Sequence, residues 1–331
     1  MNRSIYNKIT IKFFMYFVFM TFFIFLFPEN VAARDYHVPD GILTNYFGSG
    51  GDITLPDDVQ KVGVSVFKDN KDITSVVIPE GCFAIEDGAF EGCSNLRTIS
   101  LPSTLDSIGL LAFHDCTSLE YIILPRGLTT LGRGAFSGCT SLGAITIPAN
   151  VTEIGFDCFC KCARLSRLEV EQGNRNYVAE NDILYTSDRK TLIQYPIGKQ
   201  DTSFSVPHGV EIIADRSFEK ARYLREITFS DTVKEICPYA FSGCIGLTCV
   251  NFPANIEKIR EFSFRNCSNL NQAFIHGKDT GIVVKAYEGD TSLILYVPED
   301  SRAKTHARKY NIRFRILDDD TYDYPEPEIK F

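Results

Sequence analysis

Apolar residues recur along this chain at a fixed interval. Phenylalanine stands every 23 residues through one stretch and, after a single interruption, resumes with the same step in a second stretch. The first series is Phe67, Phe90, Phe113, Phe136 and Phe159, and the second is Phe218, Phe241 and Phe264. A period of this length is typical of a solenoid, in which units stack and each contacts only its neighbours. Function is then expected on a long repeated surface.

Each unit predicts two short extended segments and a turn. In one unit, alternation places Ile99 and Leu101 on the inner side of a short strand. Pro102 ends this strand because it has no N–H to donate to a strand ladder. Ile108 belongs to a second short segment, and the turn that follows carries Phe113 into the interior. The pattern predicts an α/β-type solenoid, mostly β, whose 23-residue units stack short parallel strands.

The repeat is interrupted once. Prolines recur every 23 residues up to Pro148, and the next position in this series is Glu171. Pro207 then follows 36 residues after Glu171 instead of 23. The 13 extra residues form a segment similar to the chain around residues 41–56, where Tyr46-Phe47-Gly48 parallels Tyr195-Pro196-Ile197-Gly198. We expect a hairpin-like module that serves as a cap and as a spacer. The alternative is a binding protrusion built from Tyr177, Tyr185 and Tyr195.

The repeat and its interruption predict the domain organisation. The expected parts are an N-terminal cap at 34–56, five repeats at 57–170, an insertion at 171–206, three repeats with a final rung at 207–298, and a C-terminal cap at 299–317. The final rung has a strand pattern, but no phenylalanine unit follows it. Residues 318–331 are acidic, contain Pro325 and Pro327, and are expected to be disordered.

The first 33 residues have the pattern of a signal peptide. Basic residues precede an unbroken apolar run at 13–27, Pro28 breaks it, and Val31-Ala32-Ala33 supplies small residues for cleavage after Ala33. The alternative is an uncleaved anchor, because residues 9–27 are nearly long enough to span a bilayer. We expect a secreted or cell-surface protein with no membrane span after the signal peptide.

Charge narrows the class of partner. The full chain has a formal charge of −8, and loss of residues 1–33, with three bases and one acid, takes it to −10. An acidic chain argues against nucleic acid and anionic membranes as partners.

Eleven cysteines would suggest disulfides in a secreted protein, but their spacing suggests otherwise. Six of them share one repeat slot: Cys93, Cys116, Cys139, Cys162, Cys244 and Cys267. Stacked strands lie about 4.8 Å apart, wider than the roughly 3.5–4.5 Å that a disulfide requires between Cβ atoms. These cysteines, and Cys82 at an apolar slot, are expected to be reduced core residues.

No arrangement for catalysis or metal binding stands out. Cys158-Phe159-Cys160-Lys161-Cys162 lacks the spacing of zinc ligands, and two of its cysteines fall on repeat slots. The five histidines are scattered, and the chain has no nucleophile elbow or phosphate-binding glycine loop. We expect no enzyme activity, no cofactor and no metal.

The repeated phrases resemble a known family. Ile145-Thr146-Ile147-Pro148 followed by Ile154-Gly155, and Gly134-Ala135-Phe136-Ser137-Gly138-Cys139, are similar to the BspA-type leucine-rich repeat over residues 40–300. The resemblance implies a leucine-rich repeat superhelix in a microbial secreted or surface protein. Adhesion to another protein, such as host matrix, is the role it implies, and catalysis is not. It carries over no functional residues.

The outer face of the first strand of each unit is the expected binding surface. Stacking turns these strands into a ribbon, on which aromatic and arginine side chains are the usual hot spots. The residues chosen there are Tyr121, Ile123, Arg167, Glu169, Glu226 and Phe274. The leading hypothesis is an adhesin that binds a surface or extracellular protein through this ribbon. The alternatives are a glycan or cell-wall binder that uses the insertion tyrosines, and a structural surface component.

Overall fold

The computed structural model describes residues 35–317. The predicted signal peptide and the predicted disordered tail lie outside these residues. Strands before the insertion are β1 (Tyr36–His37), β2 (Ile42–Leu43), β3 (Asn45–Tyr46), β4 (Gly51–Thr54), β5 (Lys61–Val62), β6 (Ile73–Val77), β7 (Ala84–Ile85), β8 (Thr98–Ser100), β9 (Ser107–Ile108), β10 (Thr130–Leu131), β11 (Ala144–Ile147), β12 (Glu153–Ile154) and β13 (Arg167–Val170).

The insertion and the second stretch complete the element order. The insertion holds β14 (Tyr177–Glu180), β15 (Ile183–Thr186) and β16 (Thr191–Gln194). The remaining strands are β17 (Ser203–Ser205), β18 (Ile212–Ile213), β19 (Glu226–Thr228), β20 (Glu235–Ile236), β21 (Cys249–Phe252), β22 (Lys258–Ile259), β23 (Gln272–Ile275), β24 (Gly281–Ile282), β25 (Ile294–Val297) and β26 (Arg313–Ile316). Helix α1 (Arg302–Lys309) lies between β25 and β26, and a 3-10 turn spans Pro39–Gly41.

The strands form two parallel ribbons, and the predicted fold class is confirmed. The longer strands make the strand ribbon, which consists of the sheets β4-β6-β8, β11-β13 and β17-β19-β21-β23-β25-β26. The two-residue strands make a second ribbon, β2-β5-β7-β9-β10-β12, which β16-β18-β20-β22-β24 continues beyond the insertion. Within a stretch the register advances by 23 residues per rung, as in Val76 opposite Ile99. Apolar side chains between the two ribbons form the core.

The repeated phenylalanines stack on one another inside the solenoid. Ring centroids of Phe90 and Phe113 lie 5.3 Å apart, and those of Phe113 and Phe136 lie 5.4 Å apart. Both pairs are nearly parallel, with interplanar angles of 2° and 4°. The backbone N–H of Phe113 donates to the carbonyl of Ala135 in the next unit at 2.8 Å. Each turn is therefore tied to the next by a ring contact and a hydrogen bond.

The turn geometry explains the Gly-Ala-Phe-x-Gly-Cys phrase. The residues two before and two after each stacked ring have positive φ in every unit, as at Gly134 (φ 62°) and Gly138 (φ 79°). Glycine adopts this left-handed conformation without a steric cost, which amounts to roughly 1–2 kcal/mol for other residues. Units that carry Lys161 or Leu111 at these positions keep the same backbone, so the stack imposes the conformation.

The six slot cysteines are buried and unpaired, as predicted. Each thiol donates to the carbonyl of the phenylalanine 26 residues earlier, at 3.0–3.2 Å. The same carbonyl accepts the backbone N–H of the residue three positions later in its own turn, so the thiol bonds to its second lone pair. Burial raises the pKa of Cys93 and of Cys162 to about 12, which disfavours the reactive thiolate.

The insertion divides the core into two clusters. It is a three-stranded antiparallel sheet, with β14 paired to β15 and β15 paired to β16, and β16 then pairs in parallel with β18. One buried cluster runs from Tyr36 to Leu184 and the other from Ile183 to Ala307. Leu184 and Ile183 are adjacent on β15, so this strand contributes to both cores.

The ring stack extends one unit beyond the phenylalanine series, and a tyrosine supplies the last ring. Tyr287 stands 23 residues later, is buried, and stacks on Phe264 at a centroid distance of 5.5 Å. Asp290 takes the cysteine slot of this unit. Helix α1 follows, with the Ser301 hydroxyl accepting a hydrogen bond from the Lys304 N–H at 3.1 Å as its N-cap. Lys304 itself is buried and paired with Glu299.

Loss of a stacked ring should be costly. Phe113→Ala is expected to lower the free energy of unfolding by roughly 3–5 kcal/mol, because it removes a fully buried ring with partners on both sides. Phe156→Ala is the control, since this phenylalanine is 75% exposed and its loss should change stability by no more than about 0.5 kcal/mol. Chemical denaturation of both variants measures the difference. Similar losses in the two variants would contradict the stacked core.

A left-handed position filled by lysine should tolerate glycine. Lys161 is exposed at φ 60°, so Lys161→Gly is expected to raise the free energy of unfolding by up to about 1 kcal/mol through relief of backbone strain. Gly138→Ala, at the same slot one unit earlier, should lower it, because the new Cβ would lie 2.0 Å from Asp115 Oδ1. Thermal unfolding compares them, and destabilisation by Lys161→Gly would show that lysine contributes contacts that outweigh the strain.

Candidate binding surface

The outer face of the strand ribbon carries two rows of side chains. Within each row, successive side chains lie one rung apart along the solenoid. Neighbouring residues on a strand point to opposite faces, so the residues between buried positions face outward. One row includes Val77, Ser100, Thr146 and Glu169, and beyond the insertion it includes Thr228 and Asn251. Most of these side chains are short and polar. The ribbon is thus a shallow surface on which a few larger side chains stand out.

Tyr121 and Ile123 are the largest apolar groups exposed on this face. Tyr121 is 47% exposed and Ile123 is 71% exposed. The outward residues of the neighbouring strands β8 and β11 are small: Thr98 and Ser100 on one side, Ala144 and Thr146 on the other. Both apolar side chains therefore protrude above their neighbours, as the sequence predicted.

The backbone at this rung is not part of a strand ladder. The sequence predicted a strand here, but residues 121–124 belong to no strand, and they separate the sheet that ends at β8 from the sheet that begins at β11. Within residues 35–317, none of their N–H or carbonyl groups makes a backbone hydrogen bond, although Gly143 N donates to Glu120 O at 3.3 Å. This rung is held by its buried Ile122 and Leu124 and by the stacked ring of Phe113.

Arg167 and Glu169 form a polar pair beside the insertion. Arg167 Nε lies 3.3 Å from Glu169 Oε1, and both side chains are more than half exposed. Thr146 Oγ1 also donates to Glu169 Oε2 at 3.0 Å. Glu226 is exposed on β19, which pairs with β17 and β21 and not with β13. The insertion therefore interrupts the ribbon between the predicted residues on its two sides.

Phe274 does not present an open surface, and its prediction as an exposed contact is wrong. It stands on the outward row, opposite Asn251 and Tyr296, but it is only 3% exposed. Its ring stacks on that of Tyr296 at a centroid distance of 4.4 Å. Alternation correctly predicted the face of the strand on which the Phe274 side chain lies, but it could not predict that the side chain is buried there.

The insertion tyrosines belong to the structure of the module. Tyr185 and Tyr195 are buried, so their prediction as a binding platform is wrong. Tyr195 takes the ring slot before Phe218, with centroids 4.8 Å apart, and its hydroxyl donates to Asp201 Oδ2 at 3.3 Å. Burial raises the pKa of Tyr185 to about 12. Tyr177 is half-buried, and its hydroxyl accepts a hydrogen bond from the Ile154 N–H at 2.9 Å.

A charged cluster joins the turns of the fifth and sixth units across the insertion. Arg216 Nε lies 3.0 Å from Asp157 Oδ1, and its Nη1 donates to Glu219 Oε2 at 3.0 Å. The thiol of Cys160 also donates to Glu219 Oε2, at 2.7 Å. Burial, with the negative charge of Asp157 as the next cause, raises the pKa of Asp215 to about 6. The cluster replaces the ring stack that the insertion interrupts.

Sequence reasoning missed this cluster, although a signal was present. Asp157 and Arg216 both stand two residues before a ring, and Cys160 and Glu219 both stand one residue after it. Complementary residues in identical slots of consecutive units indicate a contact. Cys160 and Glu219 are 59 positions apart in the sequence, so the contact can be recognised only when the insertion is left out of the repeat alignment.

Residues 35–317 contain neither a candidate metal site nor a membrane-spanning helix. Over residues 35–317, no group of three or more His, Cys, Asp or Glu side chains is arranged to hold a metal ion. Cys158, Cys160 and Cys162 are all buried, and Cys162 belongs to the thiol series that bonds phenylalanine carbonyls. The same described stretch contains no helix long and apolar enough to cross a bilayer.

Known proteins share the repeat and the fold. A family model described as BspA type leucine rich repeat region matches residues 46–179 and 198–302 in six copies, and the gap falls in the insertion. No curated protein matches the chain. A leucine-rich repeat protein from Eubacterium ventriosum is 25% identical, with a TM-score of 0.69 over 79% of this chain and 74% of that chain.

Two other solved structures are similar over most of their length. A leucine rich cell surface protein from Faecalibacterium prausnitzii is 25% identical, with a TM-score of 0.60 over 88% of this chain and 96% of that chain. The pneumococcal vaccine antigen PcpA is 20% identical, with a TM-score of 0.60 over 85% and 96%, and this likeness concerns the fold.

The raised pKa of Asp215 predicts a pH-dependent junction. Its neutral carboxyl stabilises the fold fully below about pH 4, and this contribution is lost as the pH rises through about 6, because the unfolded state ionises more easily. Asp215→Asn should therefore raise the free energy of unfolding at pH 7.5, by about 1 kcal/mol after allowance for partial exposure. Unfolding measured from pH 4 to 8 should show a flatter curve than the parent chain.

The control for the junction is Asp57→Asn, at an exposed turn in the first stretch. It should leave the pH dependence unchanged. A curve for Asp215→Asn that parallels the parent curve would contradict the shifted carboxyl.

Proposed function

Because the chain belongs to the BspA-type leucine-rich repeat family, we propose that it acts as an adhesin-like protein that binds a protein partner at the strand ribbon. The exposed pair of Tyr121 and Ile123 carries this proposal. Interface hot spots are enriched in tyrosine and are surrounded by small contacts that exclude water. A tyrosine and an isoleucine that protrude between Thr98, Ser100, Ala144 and Thr146 fit that description.

The surroundings of the pair support a protein partner. Val77 is exposed in the same row two rungs toward the N-terminal end, with the small Ser100 between it and Ile123. Arg167 and Glu169 lie on the far side of β11 and supply a polar edge. An apolar centre with a polar rim is the usual anatomy of a protein–protein interface. The acidic charge of the chain favours a neutral or basic partner.

A surface location supports the same role. The Faecalibacterium relative is a cell surface protein, and the first 33 residues of this chain have the pattern of a signal peptide. We propose that the mature protein is secreted or displayed on the cell surface. Cell fractionation into medium, envelope and cytoplasm tests this, and recovery in the cytoplasm alone would contradict it.

The two alternatives have less support. A glycan binder would need exposed aromatic rings in the insertion, but Tyr185 and Tyr195 are buried and Tyr177 bonds the backbone of β12. A structural surface component would bind copies of itself, and sedimentation of the purified protein would detect that. Of the three hypotheses, protein binding is the one with exposed residues that fit it.

The test is a binding assay against extracellular-matrix proteins. The double variant Tyr121→Ala with Ile123→Ala should weaken binding by about 30-fold or more, since hot spots are worth at least about 2 kcal/mol. Phe156→Ala is the control, because it removes an even more exposed ring that lies at a turn and not on the ribbon. Arg167→Glu should produce a smaller, salt-dependent loss. Unchanged binding by the double variant would place the site elsewhere.

A further inference from the structure

The strand ribbon ends in an edge strand at each end of the solenoid. Among residues 35–317, β4 pairs only with β6, and β26 pairs only with β25. Both pairs are parallel and every unit winds in the same sense, so β4 and β26 run in the same direction. The Thr54 carbonyl on β4 is already used, since it accepts a hydrogen bond from the Tyr36 hydroxyl at 3.2 Å. The edge of a sheet is a template for pairing with another chain, so a second chain can extend the ribbon at either end.

The N-terminal end of the ribbon is acidic. Residues 35–60 contain five aspartates and neither lysine nor arginine. Four of these aspartates are exposed: Asp40, Asp52, Asp57 and Asp58. In the described part of the chain, none of the four lies within ion-pair distance of a basic side chain. Their negative charge is therefore directed at solvent.

The C-terminal end is basic. Residues 301–317 contain six lysines and arginines and neither aspartate nor glutamate: Arg302, Lys304, Arg308, Lys309, Arg313 and Arg315. Of these six, only Lys304 is paired with a carboxylate of residues 35–317, that of Glu299. Arg308, Arg313 and Arg315 are exposed and line one open depression beside β26. The two ends of the same solenoid thus carry opposite charge.

The register places opposite charges in one row. Residues fifteen positions before a stacked ring form an outward row of the ribbon, which Asp52 begins and Gln272 continues. From Gln272 the pairing runs to Ile294 on β25 and to Arg313 on β26. If β4 of another copy follows β26 as the next rung in this register, Arg313 faces Asp52 of that copy.

Charge also selects between the ways in which two copies can meet. Opposite charges across neighbouring strands are favourable, and like charges directly opposite are unfavourable. Two basic ends or two acidic ends would bring like charges together. Only the contact between a basic end and an acidic end joins complementary surfaces.

We propose that the chain associates head to tail, with the basic end of one copy against the acidic end of the next and β26 beside β4. The two surfaces differ and lie at opposite ends, so the contact is heterologous and can propagate into an open filament. It leaves the outer face of the ribbon uncovered. A partner at Tyr121 is neither required nor excluded by it, and each added copy brings one more such face to a multivalent array.

The same chain contains a competing acidic segment. Residues 318–331 carry six carboxylates against one lysine, so their charge also complements the basic end. A second copy offers in addition an edge strand of the same ribbon in matching register. The two occupants predict different results, because occupation of the basic end from within the chain leaves a monomer.

Sedimentation velocity of the chain from Arg34 onward, over a range of protein concentrations, tests the proposal. At low ionic strength the weight-average sedimentation coefficient should rise with concentration, and high salt should suppress the rise because it screens the contact. Arg313→Glu with Arg315→Glu should raise the dissociation constant at least about tenfold, and so should Asp52→Arg with Asp57→Arg. Arg97→Glu with Arg225→Glu is the control, since it makes the same change of charge at exposed positions away from both ends and should leave association unchanged.

A mixture of the two end variants provides a second arm. Each variant alone has two ends of the same sign and should stay monomeric. When the variants are mixed, the unaltered basic end of one meets the unaltered acidic end of the other, so association should return. Recovery in the mixture also shows that neither variant lost association by unfolding, which circular dichroism checks separately.

Three results would overturn the proposal. A monomer at every concentration and salt would show that a second copy does not bind the basic end. Association that both end variants retain would place the contact elsewhere on the molecule. Variants that are folded and monomeric alone, and that stay monomeric when mixed, would show that the two ends do not bind each other.

Discussion

Contact between consecutive aromatic rings is the interaction on which the rest of this solenoid depends. Five rings from Phe67 to Phe159 stack at centroid distances of 4.9–6.0 Å, and five from Tyr195 to Tyr287 stack at 4.7–5.5 Å. These distances match the spacing of hydrogen-bonded strands, so the ring series and both ribbons advance together. The thiol beside each ring bonds a phenylalanine carbonyl of the preceding unit, which also accepts a backbone N–H of its own turn, so the thiol adds a link between units. The turn can then hold left-handed residues that are not glycine.

The ends of the stacks explain where tyrosine replaces phenylalanine. Tyr46 precedes Phe67, Tyr195 precedes Phe218, and Tyr287 follows Phe264. At two of these ends the tyrosine hydroxyl has a hydrogen-bond partner within its own segment. Tyr46 accepts a hydrogen bond from Gly50 N at 3.0 Å, and Tyr195 donates to Asp201. The similarity between the N-terminal segment and the insertion is therefore physical: both begin a stack.

The sequence predicted features that repeat, and it failed where the unit contacts something outside the repeat. Period and alternation were sufficient for the buried cysteines, for the exposed Tyr121 and Ile123 and for the strands of the ribbon, with the exception of the rung at residues 121–124. Alternation places Phe274 on the outer face, but it carries no information on whether the side chain is buried there. Tyr287 was missed because the repeat was defined by phenylalanine and not by the position that the ring occupies in each unit. The common repeat position of Asp157 and Arg216 becomes visible only when the insertion is left out of the repeat alignment.

The same stack that fixes the interior leaves the outer face free to differ from rung to rung. Each unit contacts only its neighbours, so a change at Tyr121 in the first stretch has no direct path to Phe274 in the second. The insertion strengthens this separation, because it divides the core into two clusters that meet on β15. The ribbon thus carries two aromatic positions in different states: Tyr121 is about half exposed, and Phe274 on β23 is buried. Only the first of them can contribute directly to a contact with a partner on this face.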